Sequence, residues 1–208
     1  MSTPILVDDP GDPRLSVFRR NERGLANRSE RRDDAGAGRF LAEGDLVVER
    51  AIAAGCVPVI ALLDDTAPEH LVSQLVDDAR VEVFVAGEAV RRMVTGMGRV
   101  QPVVALFERP PRPSAAELVE RAGRLVVVEG VDNPANIGSI VRNAAALGWN
   151  GLLLDRTSAD PLSRRSIRVA MGTVFALPHA RCSNSDELAQ LLRQRADEGG
   201  TVVALTPH

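Results

Sequence analysis

Residues 125–148 read LVVVEGVDNPANIGSIVRNAAALG. The opening run, Leu125 to Glu129, has the length and valine content of a parallel strand buried on both faces. A polar loop follows, and from Asn136 to Leu147 apolar residues recur at helical spacing until Gly148 closes the segment. Strand, polar loop and helix in that order form a βα unit, which places the chain in the α/β class. Ligands of open α/β sheets collect beyond the carboxyl ends of the strands, so the loop is a candidate site on topology alone.

The residues of that loop exclude two common chemistries. Gly130 and Gly138 stand eight positions apart and no G-x-G-x-x-G occurs, so the dinucleotide fingerprint is absent. Without a lysine there is no phosphate-binding loop of the Gly-Lys-Ser type either. Asn136 is placed to cap the helix or to meet a ligand, and Gly138 permits a close approach to its first turn. Asn136, Ser139 and Asn143 share one polar face, which Arg142 flanks. Glu129, at the end of the strand, is expected to be a buried carboxylate bonded to loop N–H groups.

Alternating elements extend outward in both directions. Towards the C-terminus the pattern predicts a strand over 151–155, a helix over 161–170 and an extended segment over 175–180. Asn184 is placed to cap a helix over 185–197, with Glu187 completing a capping box. A last strand is expected over 201–205. Towards the N-terminus a helix over 115–122 follows Arg109-Pro-Pro-Arg-Pro-Ser114, a Pro-dense stretch with the stiffness of an interdomain linker. Before it come a helix over 40–54, a strand over 57–63, a helix over 68–78, a strand over 81–86, a helix over 88–95 and a strand over 102–108. No hairpin signal interrupts them, so mostly parallel pairing is expected. The domain expectation is a basic arm (1–38), a first α/β domain (39–108), a linker (109–114) and a second α/β domain (115–208).

At 208 residues, 45% hydrophobic and 25% charged, the chain has an ordinary globular composition, and no apolar run approaches the roughly 20 residues of a membrane span. Met1–Pro10 has no basic start and does not read as a secretory signal. Cys56 and Cys182 lie far apart, which fits a reducing cytoplasm and neither a disulfide framework nor a zinc site. His70, His179 and His208 show no metal-ligand spacing, and no metal is expected. All 25 basic residues are Arg, a bias that genome composition explains, although Arg also grips phosphate bidentately. Their distribution is uneven: residues 14–39 hold eight Arg against four acids, and residues 40–90 hold two against ten. The overall charge of −3 therefore conceals a basic N-terminal stretch that points weakly to nucleic acid. One Trp, no Tyr and five Phe in apolar runs leave no aromatic platform for stacking bases.

Taken as a string, Asn133-Pro134-Ala135-Asn136-Ile137-Gly138 followed by Arg142 and Gly148 resembles the first motif of the SpoU/TrmH family of RNA 2′-O-ribose methyltransferases, in the knotted SPOUT superfamily. Asp160-Pro161-Leu162-Ser163-Arg164-Arg165 through Val169-Ala170-Met171-Gly172-Thr173, with Leu177-Pro178, resembles the second motif. Arg39-Phe40-Leu41-Ala42-Glu43-Gly44 resembles the start of the ribosomal-protein-like substrate-binding domain that many members carry. The resemblance implies methyl transfer from S-adenosylmethionine to a ribose 2′-hydroxyl of RNA, rRNA more than tRNA, by a homodimer. It assigns Arg142 and Asn136 to catalysis and Leu205 and Thr206 to the cofactor. Arg19, Arg20, Arg39, Arg164, Arg165 and Arg168 are the expected RNA contacts, with Arg164 and Arg168 equally placed to pair with surface acids.

The family's third motif, a Gly-x-Glu-x-x-Gly strand–loop, an apolar strand and a Ser-Leu-Asn helix, is expected soon after Thr206 and does not occur in the 208 residues. The SPOUT sheet is accordingly expected to be incomplete, the cofactor pocket half absent and the 208-residue chain inactive. A non-catalytic RNA-binding or truncated remnant is the competing reading, and a nucleotide-binding α/β protein with no RNA role is a more distant one.

Overall fold

A computed structural model describes residues 3–19, 38–96 and 100–205. Two sheets organise them. The first contains β1 (Ile5–Leu6), β2 (Arg39–Glu43), β3 (Pro58–Leu63), β4 (Glu82–Val85) and β5 (Val103–Glu108), in the order β1-β4-β3-β5-β2. The second contains β6 (Leu125–Val128), β7 (Gly151–Leu154) and β8 (His179–Arg181), in that order and wholly parallel. The helices are α1 (Asp45–Ala53), α2 (Glu69–Asp77), α3 (Glu88–Thr95), α4 (Ala115–Arg121), α5 (Pro134–Ala146), α6 (Arg164–Val169) and α7 (Ser185–Asp197).

Period-two alternation sorts the first sheet's side chains onto two faces. Phe40, Ala42, Ala105 and Phe107 join Val47, Val48, Ala51, Leu71 and Leu75 of α1 and α2 on one face. Leu41, Leu62, Phe84, Val104 and Leu106 join Val90 and Val94 of α3 on the other, together with Leu15, Val17 and Phe18 of a 3₁₀ helix, Pro13–Arg19. The first cluster continues into the second sheet through Val128, Ile137, Val141, Leu152 and Leu154, so one apolar core spans both sheets. Leu153, the alternate residue of β7, faces a third cluster built by α4 and α7.

Several expectations need correction. Residues 39–43 form a strand and not the start of a helix: Phe40, Leu41 and Ala42 are all buried, a run covered on both faces that mimics helical spacing. The first sheet is mixed, because β5 runs antiparallel to both β2 and β3. Residues 3–19 are part of the fold, with β1 paired to β4 and Leu15 and Phe18 fully buried. The remainder of the basic stretch, residues 20–37, lies outside the described residues. Residues 201–205 form no strand; Val202, Val203 and Leu205 are exposed and have no ladder partner among the described residues.

Candidate functional site

Helix α5 begins two residues earlier than its periodicity indicates. Asn133, not Asn136, is the cap: its Oδ1 accepts the Ala135 N–H at 2.9 Å, and Pro134 occupies the first turn, where a missing N–H costs nothing. Asn136 is therefore already helical and exposed. Ile137, Gly138, Val141 and Ala144 are buried, whereas Asn136, Ser139, Arg142 and Asn143 are exposed. The four polar residues share the solvent side because the apolar stripe occupies the other.

Gly138 marks where α5 meets α6. A Cβ at this position would lie 2.6 Å from the Ser166 carbonyl oxygen and 2.7 Å from Val169 Cβ. Ser166 is fully buried; its hydroxyl accepts from Ser163 Oγ at 2.8 Å, and its own proton lies between the carbonyls of Pro134 (2.9 Å) and Asp160 (3.0 Å).

The loop that carries the cap is zipped to the loop after β7. Val131 N–H donates to Ser158 Oγ at 3.1 Å, and Ala159 N–H donates to the Val131 carbonyl at 2.8 Å. Asp155 organises the second loop. Burial pushes its carboxyl up, but bonds from the Ser158 and Thr157 hydroxyls and N–H groups outweigh that and hold its pKa at about 2. Buried Arg181 donates to the Asp155 carbonyl (2.6 Å) and the Ser158 carbonyl (2.8 Å). Sequence reading missed both residues. Asp-x-Thr-Ser directly after a strand is a legible turn signal, whereas nothing local distinguishes Arg181 from a surface arginine.

Glu129 is exposed, not buried: among the described residues β6 lies at the edge of its sheet, and three of its four residues are only half-buried. Arg164 turns inward: its Nε pairs with Glu43 and its Nη2 donates to the Thr95 carbonyl at 3.0 Å, so its guanidinium is committed within the protein. Burial raises the Glu43 pKa, an effect that Arg164 and then Arg168 oppose. Arg165 and Arg168 are exposed on α6. Arg39 is exposed at the end of β2 away from Glu43. Arg19 is exposed on the 3₁₀ helix, on the sheet face opposite the core that α5 joins. The structure thus gathers Asn136, Arg142, Arg165 and Arg168 on two packed helices and leaves Arg19 apart. Arg20 and Thr206 lie outside the described residues. Leu205, the last of the described residues, is 97% exposed.

The family model described as SpoU rRNA Methylase family matches residues 123–208, from just before β6 onward. An uncharacterized tRNA/rRNA methyltransferase of Mycobacterium tuberculosis is 35% identical over 207 residues, which is 97% of this chain and 68% of that protein. The chain belongs to the SpoU methylase family. A 23S rRNA (uridine(2479)-2'-O)-methyltransferase of Streptomyces viridochromogenes is 30% identical over 182 residues, 86% of this chain and 62% of that one. Among solved structures, an AdoMet-bound rRNA methyltransferase from Sinorhizobium meliloti superposes with a TM-score of 0.73 at 27% identity, covering 90% of this chain and 68% of that one. The SpoU methyltransferase AviRb of Streptomyces viridochromogenes, in complex with AdoMet, gives 0.68 at 26% identity, covering 92% and 70%. This SpoU-family chain therefore has its cap loop, α5 and α6 within the matched region.

Proposed function

We propose that this chain methylates a ribose 2′-hydroxyl of RNA and that Arg142 stabilises the reacting oxygen. The observation carrying the assignment is the pose of Arg142, on the exposed polar face of α5 inside the family match. S-adenosylmethionine supplies the methyl group in this reaction, and the residues described here act on the acceptor. A ribose hydroxyl is a weak acid, and Arg is never deprotonated in proteins, so Arg142 is not the base. Its cation stabilises negative charge as it develops on the 2′-oxygen, and the proton leaves to a neighbouring substrate phosphate. Asn136, six residues earlier on the exposed side of α5, orients the ribose. Exposed Arg165 and Arg168 meet flanking phosphates, which position the RNA without reading its sequence.

The substrate is rRNA in preference to tRNA, a choice supported by the named 2′-O-methyltransferase relatives. The 39–108 segment binds that RNA, the 115–208 segment carries out the transfer, and the intact protein works as a cytoplasmic homodimer, as the family resemblance implies. The test is transfer of labelled methyl from S-adenosylmethionine to rRNA transcripts by the full-length protein, followed by nuclease digestion. Label on a 2′-O-methyl nucleoside is expected. Arg142→Ala should cut the rate by about 10²–10³-fold, the cost of removing one oxyanion donor, with RNA affinity nearly unchanged. Label on a base, or full activity in that variant, removes Arg142 from the mechanism. RNA binding with no transfer supports the non-catalytic alternative.

A further inference from the structure

Among the described residues, Arg50, Arg109 and Arg164 each tie the part of the fold around the second sheet to the part around the first. Arg50 of α1 donates to the Met171 carbonyl at 2.6 Å, at a turn where Met171 and Gly172 both have positive φ (53° and 77°). Arg109, just after β5, pairs with Asp160. Arg164 pairs with Glu43 at the end of β2 and also donates to the last carbonyl of α3, at Thr95. Of these, only Arg164 sits on the helix that touches α5, and its partner is among the most buried carboxylates, with 2% of the side chain exposed.

A continuous set of contacts runs from Glu43 to the start of α5. Glu43 holds Arg164, the first residue of α6. Ser163 caps that helix by accepting the Ser166 N–H at 3.2 Å, and Ser166 bonds the Pro134 carbonyl in the first turn of α5. The Ser166 carbonyl and Val169 press directly on Gly138, where a Cβ has no room. Helix α6 has only six residues, too short to hold its own pose through helix propensity. Its pose rests on its buried residues Ser166 and Ile167 and on what grips its ends, and at the N-terminal end that grip is the Arg164 guanidinium, held by Glu43 of the first sheet and by the last carbonyl of α3.

We propose that Glu43 and Arg164 form a positioning pair: the tie sets the pose of α6, and through Ser166 and Gly138 the pose of the α5 turn bearing Asn136, with Arg142 beyond. Arg164 is then not an RNA ligand, although the sequence places it beside two exposed arginines. The substrate-binding sheet would thereby set the geometry of the reacting face. The inference rests on the reading of α5 as the catalytic helix, but the contacts can be tested without any assay of catalysis.

The experiment compares the full-length wild type with Arg164→Met, Arg164→Lys and the double variant Glu43→Gln/Arg164→Met. Amide exchange over residues 134–144, the global unfolding midpoint and RNA affinity at two salt concentrations are measured for each. The single Met variant strands a buried carboxylate, and the double variant removes both charges, which keeps the comparison valid if the single variant folds poorly. The expected result is that the double variant recovers the midpoint while exchange over 134–144 stays about tenfold faster than wild type. Arg164→Lys should restore part of the protection, since a point charge reaches one partner where the fork reaches two. RNA affinity and its salt slope should stay within about twofold in every variant. Recovery of α5 protection together with the midpoint would overturn the proposal, because the pair would then contribute only global stability. Unchanged exchange with weakened RNA binding and a shallower salt slope would overturn it too, and make Arg164 a phosphate ligand. Absence of 2′-O-methyl transfer by the wild type in the labelled-methyl assay would defeat the reading of α5 as catalytic while leaving the exchange comparison to judge the tie.

Discussion

The solvent face of α5 and the packed region around α6 carry the same kinds of residue and use them in opposite ways. Asn136, Ser139, Arg142 and Asn143 present their polar groups to water. Ser163, Arg164, Ser166 and Asp160 turn theirs inward, onto carbonyls, hydroxyls and one another. A polar group facing water keeps its hydration and is available to a substrate, whereas a buried one must find a partner or destabilise the fold. Polar residues in a motif thus divide into those available for chemistry and those that hold the available ones in place.

The sharpest way to break that distinction is to strip one buried partner. Asp160→Ala leaves the Arg109 guanidinium, only 3% exposed, without its carboxylate. It should cost about 3–5 kcal/mol, read as a large fall in the midpoint of chemical denaturation. A midpoint close to wild type would show that water already reaches the pair.

Acid should act on the same region. Burial pushes the His179 pKa down to about 4, with Arg112 and Arg109 adding to the shift and Asp160 and the Leu177 carbonyl opposing it. The unfolded chain binds a proton near the model-peptide value of 6.5 while the folded chain resists until about 4, so stability is present above 6.5 and is lost as pH falls through that window. The loss reaches up to about 3 kcal/mol, and His179→Gln should flatten the stability profile over that range. Asp160, held below its ordinary value despite burial chiefly by Arg109, adds a loss only at lower pH.

Gly138→Ala probes the contact between the two regions. Helix propensity alone favours Ala by roughly 1 kcal/mol. The new methyl would nevertheless meet a backbone carbonyl at 2.6 Å, so a net loss of about 1–3 kcal/mol is expected, together with faster exchange in α6. A stabilised variant would mean that α6 moves away freely. Smallest of all, Arg142→Ala on the exposed face should leave the midpoint within about 0.5 kcal/mol of wild type, whatever it does to activity.

Much of this architecture was legible from residue pattern. Helix α3 over 88–95 and helix α7 over 185–197 fall where periodicity and caps place them, with Asn184 accepting the Glu187 N–H at 2.8 Å. Glu187 itself departs from the expected box and reaches the Ser183 N–H at 2.6 Å. Strand β2 escaped notice because three consecutive buried residues satisfy strand and helix templates alike. The reversed direction of β5 left no trace because its connections to the neighbouring elements are too long to carry a hairpin signal.

The sequence by itself determined the α/β alternation, the central helix closed by Gly148 and the string of residues shared with the SpoU family. These are local properties, set by spacing, backbone preference and residue chemistry over a few turns. Only the tertiary structure decided which arginines face water. Arg142 and Arg164 are equally charged and each lies beside polar neighbours, yet one is exposed and the other is clasped by Glu43, 121 positions away. A contact across that separation is created by the packing of one sheet against the other, and no local pattern encodes it.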